Sequence, residues 1–156
     1  NKGWEYFWPQ SGSSMNWDAI FTIEDTWFFV EAKAHIGEAF QKCSATSSKS
    51  KATIEKAFDE TKTRLGLTKN DINWIKTDCY QLANRLAFIC FCAQHGIKAK
   101  LLYVSFINGY HRKSVASREN WETNVWDKQY ETLGITQDSV KDIIYHIYPN
   151  CEPDNK

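Results

Sequence analysis

The sequence predicts an α/β fold. Three features carry that expectation: two aromatic, β-branched runs joined by the polar pair Glu24-Asp25, two helical stripes between residues 54 and 95, and a long alternating apolar run from Ile97 to Ile107.

Trp17 to Ile23 alternates as a strand does, and Trp27-Phe28-Phe29-Val30 is dense in residues that suit a pleated surface. With the turn between them they read as a hairpin. Ahead of them, Trp4 to Ser14 mixes aromatics with Pro9, Gly12 and serines, which predicts an irregular or partly helical lead-in. Residues 43 to 51 are rich in Ser, Thr and Lys and read as a loop. The next stretch places Ile54, Phe58, Thr61 and Leu65 on one stripe, sets Glu60 four residues before Arg64, and stops at Gly66. A second helix, from about Asp78 to His95, carries Leu82, Leu86, Ile89 and Ala93 on one stripe and Gln81, Asn84 and Arg85 on the other, with Gly96 as its stop signal.

Ile97 to Ile107 is apolar in both alternating sets, which predicts a strand covered on both faces. Reaching it from the hairpin requires a crossover through the helices. The tail predicts further helix, first through Trp121, Val125 and Tyr130 up to Gly134, then through Val140, Ile143, Ile144 and Ile147 behind Thr136 as N-cap. At 156 residues, the chain fits one domain spanning 1–156.

Composition narrows the function classes. Nineteen basic residues balance nineteen acidic ones, so no global field draws the chain to a polyanion, and any phosphate contact must come from local clusters. Lys98 with Lys100, and His111, Arg112 and Lys113 reaching to Arg118, are such clusters. Five cysteines, an odd number without paired metal-ligand spacing, argue against a zinc site. Cys90 and Cys92 lie in an apolar helical run and read as buried free thiols, which predicts a reducing, cytoplasmic setting. No apolar stretch approaches the ~18–20 residues of a membrane span, so no membrane partner is expected. The aromatic content, seven Trp, seven Tyr and nine Phe, reads mostly as core, with Trp4, Trp8 and Trp74 as candidates for a homodimer interface.

The chemistry concentrates in two places. Asp18 sits within Asn16-Trp17-Asp18-Ala19-Ile20-Phe21, and Glu31-Ala32-Lys33 ends the run from Trp27. Strand periodicity puts Glu31 and Lys33 on a common face with Ala32 on the other. A hairpin partner can bring Asp18 beside them. Mg²⁺ prefers a few hard oxygen ligands and retains water in its remaining positions, a requirement that Asp18, Glu31 and the Ala32 carbonyl can meet. Lys33 then orients a nucleophile or stabilises developing negative charge. The reaction class implied is phosphodiester hydrolysis.

The order Asp18, then Glu31-Ala32-Lys33, resembles the signature of the PD-(D/E)XK nuclease superfamily over about residues 16 to 38. The resemblance implies a restriction-endonuclease-like mixed β-sheet core flanked by helices, Mg²⁺ or Mn²⁺ held by Asp18 and Glu31, and a lysine, Lys33, assisting catalysis. It also implies DNA as substrate, with RNA left open, and endonuclease or exonuclease action. In that family a polar helix residue often joins the site, a role that Gln81 resembles. Trp17 stands where the family often has proline, and Glu5 is the lone carboxylate in the lead-in, where the family usually carries an acid on a helix.

Further residues take accessory roles in this reading. Glu5, Glu38 and His35 are accessory candidates near the metal or its water, and Ser13, Arg85, Arg112 and Lys113 are candidates for nucleic-acid contact. Plainer readings stand beside these. Glu31 and Lys33 could guard a solvent-exposed sheet edge, Asp18 could cap a turn, and Gln81 could be one polar residue of an amphipathic helix. The alternative to a nuclease is a non-catalytic nucleic-acid-binding or assembly module of the same fold.

Overall fold

The computed structural model describes residues 3–10, 15–67, 69, 71–109 and 116–151. Its hairpin forms as the sequence predicts, with β1 (Ala19–Ile23) antiparallel to β2 (Thr26–Lys33) and the partners Ala19↔Val30 and Ile23↔Thr26 fixing the register. Two residues make the turn, and Glu24 adopts φ 54°, the left-handed conformation that tight hairpin turns demand. Before the hairpin, α1 (Trp4–Phe7) is a single turn whose Trp4 ring meets Phe88 and Phe91 edge-on.

Two helices follow. Ser47 caps α2 (Ser48–Arg64) by accepting from the Ser50 amide at 3.0 Å, and Ile54, Phe58 and Thr61 bury the expected stripe. Past its end Gly66 takes φ 74°, and the Leu67 amide reaches back to the Lys62 carbonyl, closing the helix. The second helix, α3 (Tyr80–Gln94), runs beneath the sheet with α2 packed on its outer side. Both its stripes are largely buried, including Gln81 and Arg85, so its polar side does not face solvent.

Strand β3 (Ala99–Ser105) joins β2 in parallel, as a crossover through helices requires. The tail departs from the sequence reading. Thr136 does cap a short helix, α6 (Gln137–Val140), but Ile144 to Ile147 form β4, parallel to β3 through Leu101↔Ile144 and Val104↔Ile147. Ile-Ile-Tyr-His-Ile is β-branched and aromatic, and the backbone of β3 offers it a ladder that outweighs the helical spacing of its isoleucines. The result is a four-stranded mixed sheet in the order β1-β2-β3-β4.

The expected double cover of β3 is also corrected. Its residues alternate between buried and half-buried, because the helices lie against one face only. Phe29, Leu101, Tyr103 and Ile144 point into the core. The opposite face carries Phe21, Ile23, Tyr145 and Ile147 exposed, with Phe21 and Phe28 stacked at 5.1 Å and Phe28 against Tyr145 at 6.2 Å.

Trp8 and Trp74, 9% and 1% exposed, belong to the core, and Trp4 packs against it, so none of the three is an exposed interface aromatic. Phe58 gathers Trp8 and Trp74 around itself, and the Trp74 indole donates to the Leu133 carbonyl at 2.8 Å. All five cysteines are free. Burial pushes the thiols of Cys90 and Cys92 up to about 11 and that of Cys79 up to about 12, so none of these three is a thiolate nucleophile at neutral pH. No helix among the described residues is long and apolar enough to cross a membrane.

Candidate active site

Glu31 and Lys33 project from the covered face of β2, as period-two spacing requires, and both are buried, at 5% and 4% exposure. An exposed-edge role is therefore excluded for this pair. The Lys33 ammonium donates to Glu31 Oε1 at 2.5 Å, and the Gln81 amide donates to the same oxygen at 3.0 Å. Arg85, one helical turn beyond Gln81 on α3, donates from Nε and Nη2 to Glu31 Oε2 at 2.9 and 2.8 Å. A carboxylate taken out of water is costly unless its lone pairs are satisfied, and Glu31 meets that condition with four donors.

Arg85 is fixed from three sides. Besides Glu31, its Nη2 donates to the Asn16 carbonyl at 2.8 Å, and its guanidinium lies over the Trp17 ring, 4.4 Å from the centroid. The residues just ahead of β1 thus hold the arginine that holds Glu31. This places Arg85 inside the cluster rather than on a surface that meets nucleic acid.

Asp18 reaches the same place by another route. Its amide continues the hairpin ladder to the Val30 carbonyl at 3.1 Å, and its Oδ2 accepts from the Ala32 amide at 2.7 Å. One side chain thereby closes the end of the ladder. Its carboxylate stays exposed. Since the N–H and C=O of one strand residue point to the same side, the Ala32 carbonyl is directed toward the strip that β1 leaves open.

The accessory candidates divide. Glu38 Oε2 accepts from the Ala34 amide at 2.8 Å and its Oε1 pairs with His35 Nε2 at 3.1 Å, so these two brace the chain just past Lys33. Glu5 is exposed on α1 and makes no hydrogen bond or ion pair with the cluster among the described residues. Ser13, His111, Arg112 and Lys113 lie outside the described residues. The basic pair is already engaged, with Lys98 on Asp25 and Lys100 on the Asp142 carbonyl.

Two neighbours escaped the sequence reading. Parallel register sets Tyr103 beside Glu31 and Ser105 beside Lys33. Tyr103 is fully buried, and burial followed by the Glu31 charge raises its phenol so that it stays neutral. Ser105 Oγ is buried without a hydrogen-bond partner among the described residues. The signal for both is the alternation of β3, which becomes readable once its register with β2 is known.

The donor set can be tested against a divalent cation. Among the described residues no three His, Cys, Asp or Glu side chains converge. Asp18 and the Ala32 carbonyl supply hard oxygens at the open end of the ladder, and Glu31 supplies another when it exchanges one of its four donors. That set suits Mg²⁺, which keeps several waters, better than it suits an ion that needs a full protein cage.

No family profile, curated protein or solved structure matches the chain.

Proposed function

We propose that the chain is a metal-dependent nuclease that hydrolyses phosphodiester bonds, with DNA as its substrate and Mg²⁺ or Mn²⁺ as cofactor. The observation that carries this reading is the buried Glu31–Lys33 pair, held by Gln81 and Arg85 and adjoining the exposed Asp18 carboxylate at one end of the hairpin. Stability alone gives little reason to bury such a cluster, because apolar side chains of similar volume serve a core at least as well. Convergent charges at strand ends, on rigid backbone, are what a hydrolytic site needs.

Asp18, the Ala32 carbonyl and Glu31 would hold the ion, which when bound supplies Lewis acidity toward a phosphoryl oxygen and a more acidic water. Lys33 brings a positive charge to the developing negative charge of the phosphoryl group, and its low exposure strengthens that interaction. Gln81 and Arg85 keep Glu31 oriented. In the overall step a water oxygen bonds to phosphorus and gives up a proton to solvent, the bridging P–O bond breaks, and the leaving oxygen takes a proton from solvent.

Supercoiled plasmid incubated with the protein and Mg²⁺ or Mn²⁺ is expected to be nicked or degraded. Lys33→Ala should lower the rate by roughly 10²–10³-fold, the loss typical of one preorganised charge-stabilising group. Intact plasmid and intact RNA with the wild-type protein would instead favour a non-catalytic module of this architecture. The observation behind that second reading is the occupation of both Glu31 oxygens by Arg85, Lys33 and Gln81.

A further inference from the structure

The two faces of the sheet are finished differently. On the covered side the register sets Glu31, Tyr103 and His146 in one row. There α4 (Arg118–Trp121), a π-helical stretch (Glu122–Asp127) and α5 (Lys128–Leu133) complete the cover begun by α2 and α3, with the Trp126 ring 4.3 Å from Tyr103 and 4.8 Å from His146. That side is filled, so that even the ring nitrogens Trp126 Nε1 and His146 Nδ1 are buried without a hydrogen-bond partner among the described residues. On the other side the same register lines up Ala19, Val30, Leu102 and Tyr145, and leaves Phe21, Ile23, Tyr145 and Ile147 between 39% and 57% exposed.

Single apolar residues in water need no explanation, but these adjoin. Phe21 stacks on Phe28 at 5.1 Å and 6°, and the Phe28 ring reaches over β3 to Tyr145 at 6.2 Å, so an aromatic ridge crosses all four strands. Among the described strand residues of this face Lys100 alone is charged, and its ammonium turns to the Asp142 carbonyl. Aromatic enrichment with depletion of charge is the composition of the buried centre of a protein interface.

An uncharged apolar face fits a partner of the same character, and the chain itself carries one. A two-fold axis between two copies sets the ridge of Phe21, Phe28 and Tyr145 against its equivalent. With nineteen basic and nineteen acidic residues, the copies do not repel one another as whole bodies. The size also suffices. Four strands at roughly 4.8 Å and five or six residues at roughly 3.3 Å project to about 350 Å² on each copy. Protruding side chains enlarge that area, so a face-to-face pair buries on the order of 1,000 Å² in total, the lower limit for a specific interface.

We propose that the open face of the sheet is the interface of a homodimer in which two copies stack sheet against sheet, centred on Phe21, Phe28 and Tyr145. The proposal is independent of the nuclease reading, because Glu31 and Lys33 project from the covered face and pairing leaves them untouched.

The test is sedimentation of the full chain from about 1 µM to about 500 µM, a range that brackets the micromolar Kd expected near the lower size limit. The mass is expected to rise from 18.1 kDa toward twice that value. Phe21→Lys and Ile147→Lys each place two like charges in the interface and should weaken association at least roughly 30-fold. Ile20→Lys is the control. Ile20 is 50% exposed on β1 but pairs with Phe29 on the covered side, so its substitution should leave the dimer intact. Circular dichroism checks that each variant folds, and the two face substitutions lie on different strands, so either one carries the comparison. Methyl signals of Ile23 and Ile147 in the wild-type chain, expected to shift on dilution, need no variant at all. A wild-type chain that stays monomeric throughout overturns the proposal, as does a dimer that survives both face substitutions. A monomer that binds the apolar dye ANS, with binding lost in Phe21→Lys, would assign the face to a different partner and overturn the second copy.

Discussion

The two ends of the row Glu31, Tyr103, His146 bury polar groups under opposite rules. At the Glu31 end every charge is answered: one carboxylate receives four hydrogen bonds from Lys33, Gln81 and Arg85. At the His146 end the groups are neutral, and two ring nitrogens go unanswered. The difference follows from magnitude, because an unpaired buried charge costs several kcal/mol and forces a partner into place, whereas an unpaired neutral N–H costs about 1–3 kcal/mol and can be carried. Burial enforces the same distinction on His146, whose pKa is held down to about 4 so that the ring is neutral at pH 7.

The contrast is broken most directly at Arg85. Arg85→Met strips two donors from Glu31 and should cost about 3–5 kcal/mol in urea unfolding, the usual penalty for halving a buried ion pair. Replacing the whole set, with Glu31→Leu and Lys33→Met added, should recover most of that loss. A single variant that loses less than about 1 kcal/mol would show that water already reaches the carboxylate.

At the other end the lever is pH. The folded pKa of His146 lies below the ordinary value of about 6.5, so the unfolded chain takes up the proton first as pH falls. Stability from this group is complete above about pH 6.5 and is lost progressively down to about pH 4, by ~3 kcal/mol in all. His146→Phe should flatten that slope between pH 7 and 4.5. An unchanged slope would place the titration elsewhere.

The smallest effect separates two indoles. Trp121 Nε1 donates to the Phe106 carbonyl at 2.9 Å, while Trp126 Nε1 donates to nothing described. Both Trp→Phe changes remove similar volume. Trp121→Phe should therefore cost about 1–3 kcal/mol more than Trp126→Phe, measured by thermal or urea denaturation. Equal losses would mean that Trp126 has a hidden partner in solution.

How much of this was legible follows from the range of each interaction. The hairpin, its turn, the stripe of α2 and the shared face of Glu31 and Lys33 depend on residues close in sequence, and local periodicity exposes them. Gln81 was visible as a polar residue on a helix, but Arg85 as the clamp on Glu31 was not, because the two are fifty-four positions apart and meet only when α3 lies under the sheet. Tyr103 and Ser105 needed the β2–β3 register. Strand β4 is ambiguous in the sequence, since Val140, Ile143, Ile144 and Ile147 fit helical spacing equally well, and only the free edge of β3 decides between them. The open face is hidden in the sequence because apolar residues on both sides of β3 imply cover on both sides, which these helices do not supply.

The hairpin turn has a reach beyond its own two residues. All five residues of β1 are exposed and its apolar side chains fall on both faces, so burial does little to choose one alignment over its neighbour. The Glu24-Asp25 turn sets the count instead, from the far end of the strand, and a single inserted residue there would slide Asp18 off the Ala32 amide and move Asn16 and Trp17 from Arg85. A loop remote from the charges thus acts as the gauge block of the site, so the spacing of the Asp18 and Glu31 carboxylates can be retuned without altering any residue that forms it.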